Sequence, residues 1–498
     1  MNKQLRRLGI GLIACYVILF AQLNWLQVVK ADDYNKDPRN DREVVRDFTR
    51  PRGSILTADG VVIAQSVPSN DRYKLLRSYP TGDLFAGVGG YFSLAFGFQG
   101  LEQQYNDVLA GQTAQQQLRG WANLFNDKVN TGDVITTLRS DIQQLAKDAL
   151  GEREGSVVVS DPRTGAILAM WSWPTFDPNQ IATHDFNAAK TARELYLANP
   201  AKPLLMNAYQ ERYMPGSTFK IITATAALGS GQFDVNSNFP ATNQFVVPAR
   251  PTPIRNYGGE TCGGTLPQVF ARSCNTAFAQ IGTTLGPETM VNAAQGFGFN
   301  QNVPIDLPAP AQSFFPSVQD FHNDVPNGVS PQLATSSFGQ DQPAATPLQM
   351  NMAAAAVANN GVIMTPHVMA ETRDSDGATL DKYQPKPWLT AMSPDTAATM
   401  KQFMIGVVQN GTARCCLQLD NGVQAAAKTG TAQLHPAGDP EASHAWITAF
   451  APADNPRVAV TVFVKASPEV SSGVGATVAG PVARQILNYV MTLPDPLS

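Results

Sequence analysis

The residues of this chain that could do chemistry fall into three short motifs separated by long stretches. Ser217 and Lys220 form Ser-x-x-Lys, Ser273 and Asn275 form Ser-x-Asn, and residues 428–431 read Lys-Thr-Gly-Thr. Each pattern occurs once, and in this order. An alcohol activated by a nearby amine can attack a carbonyl group and form a covalent acyl-enzyme. The three motifs together predict a serine acyl-transfer enzyme in which Ser217 is the nucleophile.

The first motif has a local geometry that suits this chemistry. Pro215 and Gly216 end the preceding element, so Ser217 is expected at or near the start of a helix. Residues three apart in a helix share one face, with Cβ atoms ~5–6 Å apart, so Lys220 can hydrogen-bond the Ser217 hydroxyl. Lys220 acts as a base only when neutral, and apolar flanks with Lys428 nearby would lower its pKa. Taken alone, the motif is more often a helix-capping serine with a solvated lysine.

The second motif directly precedes an apolar helix, which we predict over residues 273–285. In an acyl-transfer enzyme, Ser273 would relay a proton to the departing amine, and Asn275 would orient Lys220 or a substrate amide. Serine and asparagine are also common helix caps, which explains the pair without any catalytic role.

The third motif follows small apolar residues and is typical of an edge strand. Gly430 leaves room for a peptide backbone to lie alongside as an added strand. Lys428 would supply a positive field, and the hydroxyls of Thr429 and Thr431 would hold a substrate carboxylate. The backbone N–H groups of Thr431 and Ser217 would form an oxyanion hole. The ordinary alternative for this motif is a turn at a strand end. It is improbable, however, that all three motifs occur in this order without a catalytic role.

The elements that would position these motifs follow from hydrophobic periodicity and turn signals. We expect helices over 141–150, 217–231, 273–285, 346–360 and 482–491, a hairpin of strands 156–160 and 166–173, a strand over 457–466 and two short strands within 52–64. The polar segment 151–155 (GEREG) marks the expected domain boundary.

The first thirty residues predict a membrane anchor. Lys3, Arg6 and Arg7 precede an apolar run over residues 8–29, and about 20 apolar residues are needed for a spanning helix. Basic residues on the N-terminal side place that end in the cytoplasm and the rest of this single-pass chain outside. The residues before Cys15 resemble a lipoprotein cleavage site, although the apolar run continues well past it. The charged stretch 30–52 is interpreted as a solvated stalk.

The composition excludes some classes of function. The 36 basic and 40 acidic residues give a net charge of −4 and a pI near 5.8. A nucleic-acid binder normally carries a basic excess, so no nucleic-acid partner is expected. The five cysteines and five histidines show no metal-ligand spacing, so neither a metal nor another cofactor is expected.

Four cysteines lie outside the membrane in the predicted topology, where disulfides persist. Four cysteines allow three pairings, among which the sequence does not choose. Cys262 with Cys274 is the first candidate, because the two are close in the chain. Cys415 and Cys416 could bond to other partners or stay free.

Longer segments around the motifs resemble class B penicillin-binding proteins. The segments are MPGSTFK (214–220), SCNTAFAQ (273–280), ATPLQM (345–350), KTGTAQ (428–433), HAWITAFAP (444–452) and GLEQQYNDVLAG (100–111), with RGSILTADGVVIA (52–64) similar to the signature of their pedestal domain. The length, without appended C-terminal modules, is similar to the actinobacterial penicillin-binding protein A type. One departure is Cys274, which stands where the usual motif has aspartate. A Cys262–Cys274 bond is a hypothesis for how Ser273 is fixed.

The resemblance implies an α+β fold. Its transpeptidase domain, of the penicillin-binding and β-lactamase-like kind, has a central antiparallel sheet flanked by helices. An extended N-terminal pedestal domain and one transmembrane helix complete it. The expected domains are residues 1–30 for the cytoplasmic tip and transmembrane anchor, 31–154 for the pedestal of the dimerisation type, and 155–498 for the transpeptidase.

The function that the resemblance implies is that of a peptidoglycan D,D-transpeptidase. A stem peptide ending in D-Ala-D-Ala would acylate Ser217 and release the last D-Ala, and an amine of a neighbouring stem would then form the cross-link. A β-lactam would leave a persistent acyl group. The enzyme would work beside a glycan polymerase of the RodA or FtsW kind, in division or elongation.

Other functions share these motifs. A D,D-carboxypeptidase would pass the acyl group to water. A β-lactamase would be about half as long and soluble, with a carboxylate that activates the deacylating water. A β-lactam sensor would need more cytoplasmic mass, and a silent scaffold would not need three intact motifs. The acceptor amine, the polymerase partner and the oligomeric state stay open.

Overall fold

The fold is known from a computed structural model that describes residues 3–26, 47–122, 130–248, 252–325, 328–420, 422–434, 443–467 and 474–494. The chain divides into two compact units, residues 1–51 with 67–76 and residues 52–66 with 77–498. The first unit contains the helix Lys3–Asn24, which has 22 residues, none of them buried, and an 18-residue window with a mean hydropathy of 1.6. Its length and composition suffice to cross a membrane. The end of the predicted anchor and most of the stalk lie outside the described residues.

Helices and strands are interspersed along the part of the chain that the structure describes. The α-helices are Lys3–Asn24, Ala86–Gly89, Leu101–Gln104, Asn106–Leu109, Ala114–Ala122, Ser140–Leu150, Pro178–Ala182, Phe186–Ala198, Lys220–Gly229, Leu266–Ala271, Asn275–Gly296, Val318–Asp324, Pro331–Ser336, Pro347–Ala358, Pro394–Gln409 and Gly475–Thr492, with 3₁₀ turns at Gly82–Phe85, Gly216–Phe219 and Tyr257–Gly259. The strands are Ile55–Leu56, Val62–Pro68, Leu75–Ser78, Phe92–Ser93, Gly97–Phe98, Gly132–Thr136, Gly155–Ser160, Ile167–Trp173, Asn238–Thr242, Gln244–Phe245, Ile254–Arg255, Cys262–Thr265, Val362–Met364, Met369–Asp374, Thr379–Lys382, Pro387–Thr390, Ala426–Gln433, Ser443–Ala451 and Val458–Val464.

A five-stranded antiparallel sheet forms the centre of the second unit. Its strands lie in the order Ala426–Gln433, Ser443–Ala451, Val458–Val464, Gly155–Ser160 and Ile167–Trp173. The middle strands are buried along their whole length, which explains why they are almost entirely apolar or small. The structure confirms the predicted hairpin and the predicted edge position of the Lys-Thr-Gly strand.

Helices pack against this sheet and bury its apolar side chains. Pro347–Ala358 contacts three of the strands, and Gly475–Thr492 contacts the Lys-Thr-Gly strand and the next two strands of the sheet. The last helix begins seven residues before the predicted start at 482. The helix continues through Pro481, a residue that normally breaks a helix, and most of the small residues before it are buried.

A second sheet contains strands from distant parts of the sequence. Ile55–Leu56 pairs with Val62–Pro68, as predicted, and runs parallel to Gly132–Thr136. Met369–Asp374 pairs with Gly132–Thr136 on one side and with Thr379–Lys382 on the other. The sheet therefore combines strands from before and after residue 154, a long-range pairing that no local sequence pattern indicates.

Arg52, Arg77 and Glu102 form a buried ion-pair cluster that joins three segments of the second unit. The Glu102 carboxylate is fully buried and accepts hydrogen bonds from Arg52 Nε at 2.7 Å and Arg77 Nε at 2.6 Å. Arg77 also donates to the Gly53 carbonyl at 2.8 Å. Burial raises the pKa of Glu102, but the two guanidinium groups outweigh this effect and hold the pKa below its ordinary value.

Replacing Glu102 with glutamine is expected to lower the free energy of unfolding by about 3–5 kcal/mol, because two buried guanidinium groups then lack a counter-charge. Glu194→Gln is the matched control, since Glu194 is exposed and lies 3.9 Å from Lys190. In this control the free energy of unfolding should fall by less than about 0.5 kcal/mol. Denaturant unfolding of the detergent-solubilised chain measures both. Equal losses in the two variants would contradict the role given to the cluster.

Candidate active site

Ser217 lies in a tight turn at the entrance to a buried helix. Gly216–Phe219 forms a 3₁₀ turn, and the α-helix proper runs from Lys220 to Gly229, where we predicted one helix over 217–231. Gly216 has φ +53°, and a Cβ there would lie 2.8 Å from the Thr431 carbonyl oxygen. This close approach requires glycine and holds the Ser217 turn against the Lys-Thr-Gly strand.

Lys220 connects the first motif to the second. Its Nζ donates to Ser217 Oγ at 2.9 Å, to the Ser273 carbonyl at 2.7 Å and to Asn275 Oδ1 at 2.7 Å. The Asn275 amide donates in turn to the Arg255 carbonyl at 3.1 Å, which fixes its orientation. The position of Lys220 Nζ is therefore determined by groups from both the first and the second motif.

Ser273 occupies a strained position at the end of the helix Leu266–Ala271. Its N–H donates to the Phe270 carbonyl at 3.1 Å, and the Cys274 N–H donates to the Val269 carbonyl at 2.9 Å. These two bonds form a Schellman motif, in which the residue at the Ser273 position is usually glycine. Ser273 has φ +63°, a left-handed conformation that costs a non-glycine residue about 1–2 kcal/mol. The predicted helix 273–285 therefore begins only at Asn275, and it continues to Gly296 past an interruption at Gly286.

The third motif completes the arrangement from the edge of the sheet. Lys428 is fully buried, and its Nζ donates to Ser273 Oγ at 2.9 Å. A Cβ on Gly430 would lie 2.9 Å from the Pro215 carbonyl oxygen, so a side chain there would push the strand away from the Ser217 turn. The structure thus brings the side chains of Ser217, Lys220, Ser273, Asn275 and Lys428 into one hydrogen-bonded network.

These residues border a cleft of ≈ 240 Å³. Ser217, Ser273, Asn275, Thr429 and Thr431 line it, while Lys220 and Lys428 are fully buried. The sequence analysis missed other lining residues, among them Asn256, Tyr257, Glu260, Arg272, Gln340, Thr412, Gln433 and Gly475. Two turn dipeptides give a local signal near some of them, Asn410-Gly411 before Thr412 and Gly258-Gly259 between Tyr257 and Glu260. Within the described residues, no cluster of three or more His, Cys, Asp or Glu side chains could hold a metal ion.

Burial makes both active-site lysines less ready to carry a positive charge. Burial, and then the neighbouring Lys428, hold the pKa of Lys220 well below its ordinary value. Burial lowers the pKa of Lys428 to about 7. A neutral Lys220 can accept a proton from Ser217, and a charged Lys428 can polarise Ser273 and attract an anionic ligand.

Acylation is expected to depend on pH in opposite ways through the two lysines. The rate rises as pH passes upward through the lowered pKa of Lys220, since the base must be neutral. It falls as pH passes upward through about 7, since Lys428 then loses its charge. The second-order rate of acylation by benzylpenicillin between pH 5 and 10 measures both limbs. Lys428→Arg, which stays charged, should lose the falling limb; an unchanged fall in that variant would refute the assignment.

Of the two disulfides in the described residues, Cys262–Cys274 lines the cleft. Cys262, on the strand Cys262–Thr265, is bonded to Cys274, as the first candidate pairing predicted. Cys415 is bonded to its neighbour Cys416, whereas we had expected these two to find other partners or to stay free. Cys15 is free.

Comparison with known proteins shows the family of the chain. The sequence model described as "Penicillin binding protein transpeptidase domain" matches residues 155–488, two thirds of the chain. The chain belongs to the penicillin-binding protein transpeptidase family. A second model, "Penicillin binding protein A dimerisation domain", matches residues 52–135. Membership of the family confirms the α+β architecture, with a helix-flanked sheet, that the resemblance implied.

Two curated relatives and two solved structures illustrate the family. The peptidoglycan D,D-transpeptidase PbpA of Mycolicibacterium smegmatis is 38% identical over 97% of this chain and 98% of its own length. PbpA of Mycobacterium tuberculosis is 34% identical over 99% of both chains. The ceftriaxone acyl-enzyme of M. tuberculosis penicillin-binding protein A superposes with a TM-score of 0.81 at 33% identity, covering 89% of this chain and 98% of that one. The penicillin G acyl-enzyme of the same protein superposes with a TM-score of 0.80 at 33% identity, covering 89% of this chain and 100% of that one.

Proposed function

We propose that the chain is a peptidoglycan D,D-transpeptidase that cross-links stem peptides in cell-wall synthesis and is acylated by β-lactams. The observation that carries the proposal is the position of Lys220 Nζ, 2.9 Å from Ser217 Oγ and held by Ser273 and Asn275. The relatives support the same reaction, since they are named D,D-transpeptidases and their solved structures include β-lactam acyl-enzymes.

In the first half-reaction, Ser217 Oγ attacks the carbonyl carbon of the penultimate D-Ala. Neutral Lys220 takes the hydroxyl proton as the new C–O bond forms. The negative charge on the carbonyl oxygen is stabilised by the backbone N–H groups of Ser217 and Thr431. Their proximity is supported by the contact between Gly216 and the Thr431 backbone. The C–N bond then breaks, and the terminal D-Ala leaves as an amine that takes its proton through Ser273.

In the second half-reaction, the amine of a neighbouring stem peptide attacks the ester on Ser217. The proton of the amine returns through Ser273 and Lys220 to the serine oxygen, the C–O bond breaks, and an amide cross-link remains. A β-lactam enters the same path, but its leaving group stays tethered to the acyl-enzyme. Thr429 and Thr431 hold the carboxylate of either donor, and Lys428 adds positive potential.

The proposal is tested with a D-Ala-D-Ala donor peptide offered with and without an amine acceptor, with products identified by mass spectrometry. Amide formation that requires Ser217, and disappears in Ser217→Ala, is the expected result. Release of D-Ala with hydrolysis alone, whatever the acceptor, would indicate a carboxypeptidase. Rapid loss of a labelled penicillin from the protein would indicate a β-lactamase, and growth without change of shape in Ser217→Ala cells would indicate a scaffold.

The same proposal includes the setting of the enzyme at the membrane. The helix Lys3–Asn24 would anchor the chain, with Lys3, Arg6 and Arg7 on the cytoplasmic side and the catalytic domain outside. The domains would be 1–30, 31–154 and 155–498, and a polymerase of the RodA or FtsW kind would be the partner. Labelling of single cysteines at residue 2 and residue 498 in intact cells distinguishes this orientation from its reverse.

A further inference from the structure

We infer that Thr412 is a positioning residue for the substrate carboxylate, because its hydroxyl orients the hydroxyl of Thr429 toward the cleft. The inference rests on the proposed function, in which Thr429 and Thr431 hold that carboxylate. Thr412 lies in the turn between the helix Pro394–Gln409 and the edge strand Ala426–Gln433, outside all three sequence motifs.

The contact between the two hydroxyls is short. Thr412 Oγ1 and Thr429 Oγ1 lie 2.5 Å apart, and both residues line the cleft that contains Ser217. Thr429 is 6% exposed, so its hydroxyl has little access to bulk water. The orientation of this hydroxyl is therefore decided by its protein neighbour and by the ligand.

The direction of the bond follows from counting protons. A hydroxyl has one proton to donate, and an ionised carboxylate can only accept. When Thr429 donates to a substrate carboxylate, it has no proton left for Thr412, so Thr412 must be the donor in their shared bond. Without Thr412, the Thr429 hydroxyl would be free to rotate, and binding would have to fix it again.

Thr431 shows the same arrangement with a backbone donor. The Gly475 N–H donates to Thr431 Oγ1 at 3.3 Å, which occupies an acceptor position of that hydroxyl and leaves its proton for the cleft. A Cβ at Gly475 would lie 2.2 Å from the carbonyl oxygens of Gly430 and Trp446, so the approach depends on glycine. Each of the two threonine hydroxyls thus has a neighbouring donor of its own.

The turn that carries Thr412 is held firmly against the second motif. The Thr412 N–H donates to the Ala271 carbonyl at 3.2 Å, and the Ala413 N–H donates to the Val407 carbonyl at 3.1 Å. A Cβ at Gly411 would lie 2.3 Å from the Ala271 oxygen. Ala271 ends the helix that leads to Ser273, so one turn contacts both that helix and, through Thr412, the Lys-Thr-Gly strand.

The test compares acylation by benzylpenicillin with acylation by its methyl ester, which lacks the free carboxylate. In Thr412→Val the second-order rate for benzylpenicillin, divided by that for the methyl ester, should fall ~10-fold. This is the effect of weakening a hydrogen bond to a charged group. Thr412→Ser should restore the ratio. Thr399→Val, at a partly exposed threonine of the preceding helix, is the matched control and should leave it unchanged. Thr412→Ala serves as a second variant if valine disturbs the turn.

Thr429→Val separates this inference from the proposed function. If Thr429→Val leaves the ratio unchanged, the carboxylate-binding role proposed for Thr429 is wrong. If Thr429→Val lowers the ratio but the Thr412 variants do not, the inference is overturned while the proposed function stands. An equal fall for acid and ester in Thr412→Val would also overturn it, since that pattern indicates a purely structural role. The double variant, Thr412→Val with Thr429→Val, should have the same ratio of rates as Thr429→Val alone.

Discussion

Lys220→Met should lower the second-order rate of acylation by benzylpenicillin ~10³–10⁴-fold, because Ser217 then has no base within reach. Methionine has a similar volume and suits the buried position that Lys220 occupies. Stopped-flow or gel-based labelling with a fluorescent penicillin measures the rate, and thermal melting shows whether the fold is retained.

Lys220→Arg distinguishes a base from a fixed positive charge. Arginine keeps the charge and can donate to Ser273 and Asn275, but it does not lose its proton in proteins. If proton acceptance is the role of Lys220, the arginine variant is as slow as the methionine variant. A folded arginine variant that keeps most of the wild-type rate would show that the charge, and not the basicity, is what matters.

Ser273→Ala and Ser273→Gly should have similar effects on catalysis and different effects on stability. Both remove the hydroxyl that accepts from Lys428 at 2.9 Å, and both should lower peptide transfer ~10²–10³-fold. At φ +63°, glycine avoids the strain that alanine retains, so Ser273→Gly should be more stable than Ser273→Ala by ~1 kcal/mol.

Denaturant unfolding together with the donor–acceptor assay tests this pair. A glycine variant that is active would exclude the hydroxyl from catalysis. A glycine variant less stable than the alanine variant would contradict the account of backbone strain. The expected outcome is a position where stability favours glycine and the reaction requires serine, which is typical of strain kept at a functional site.

The sequence predicted those parts of the site that depend on neighbours in the chain. The spacing of Ser217 and Lys220 places both side chains together because a single turn of helix connects them. The alternation around residues 457–466 and the small residues before Lys428 predicted strands of the central sheet, and the structure contains both. Local periodicity was sufficient for each of these elements.

Other features depend on contacts between distant segments and had no local signal. The left-handed conformation of Ser273 arises from the end of the preceding helix, although the residue type suggested a helix cap. Thr412 and Gly475 reach the cleft only because the turn and the last helix pack beside the edge strand. The strands Met369–Asp374 and Thr379–Lys382 join a sheet whose other members precede residue 154, and only the three-dimensional fold reveals that pairing.

The roles assigned to the three motifs depend on covalent chemistry at one oxygen atom. Intact-mass spectrometry after benzylpenicillin treatment, followed by peptide mapping, locates that chemistry directly. We expect one added benzylpenicillin per chain, carried by the peptide that contains Ser217, persistent over many minutes and absent in Ser217→Ala. An adduct on another residue, or a folded wild-type protein that forms none, would contradict the account.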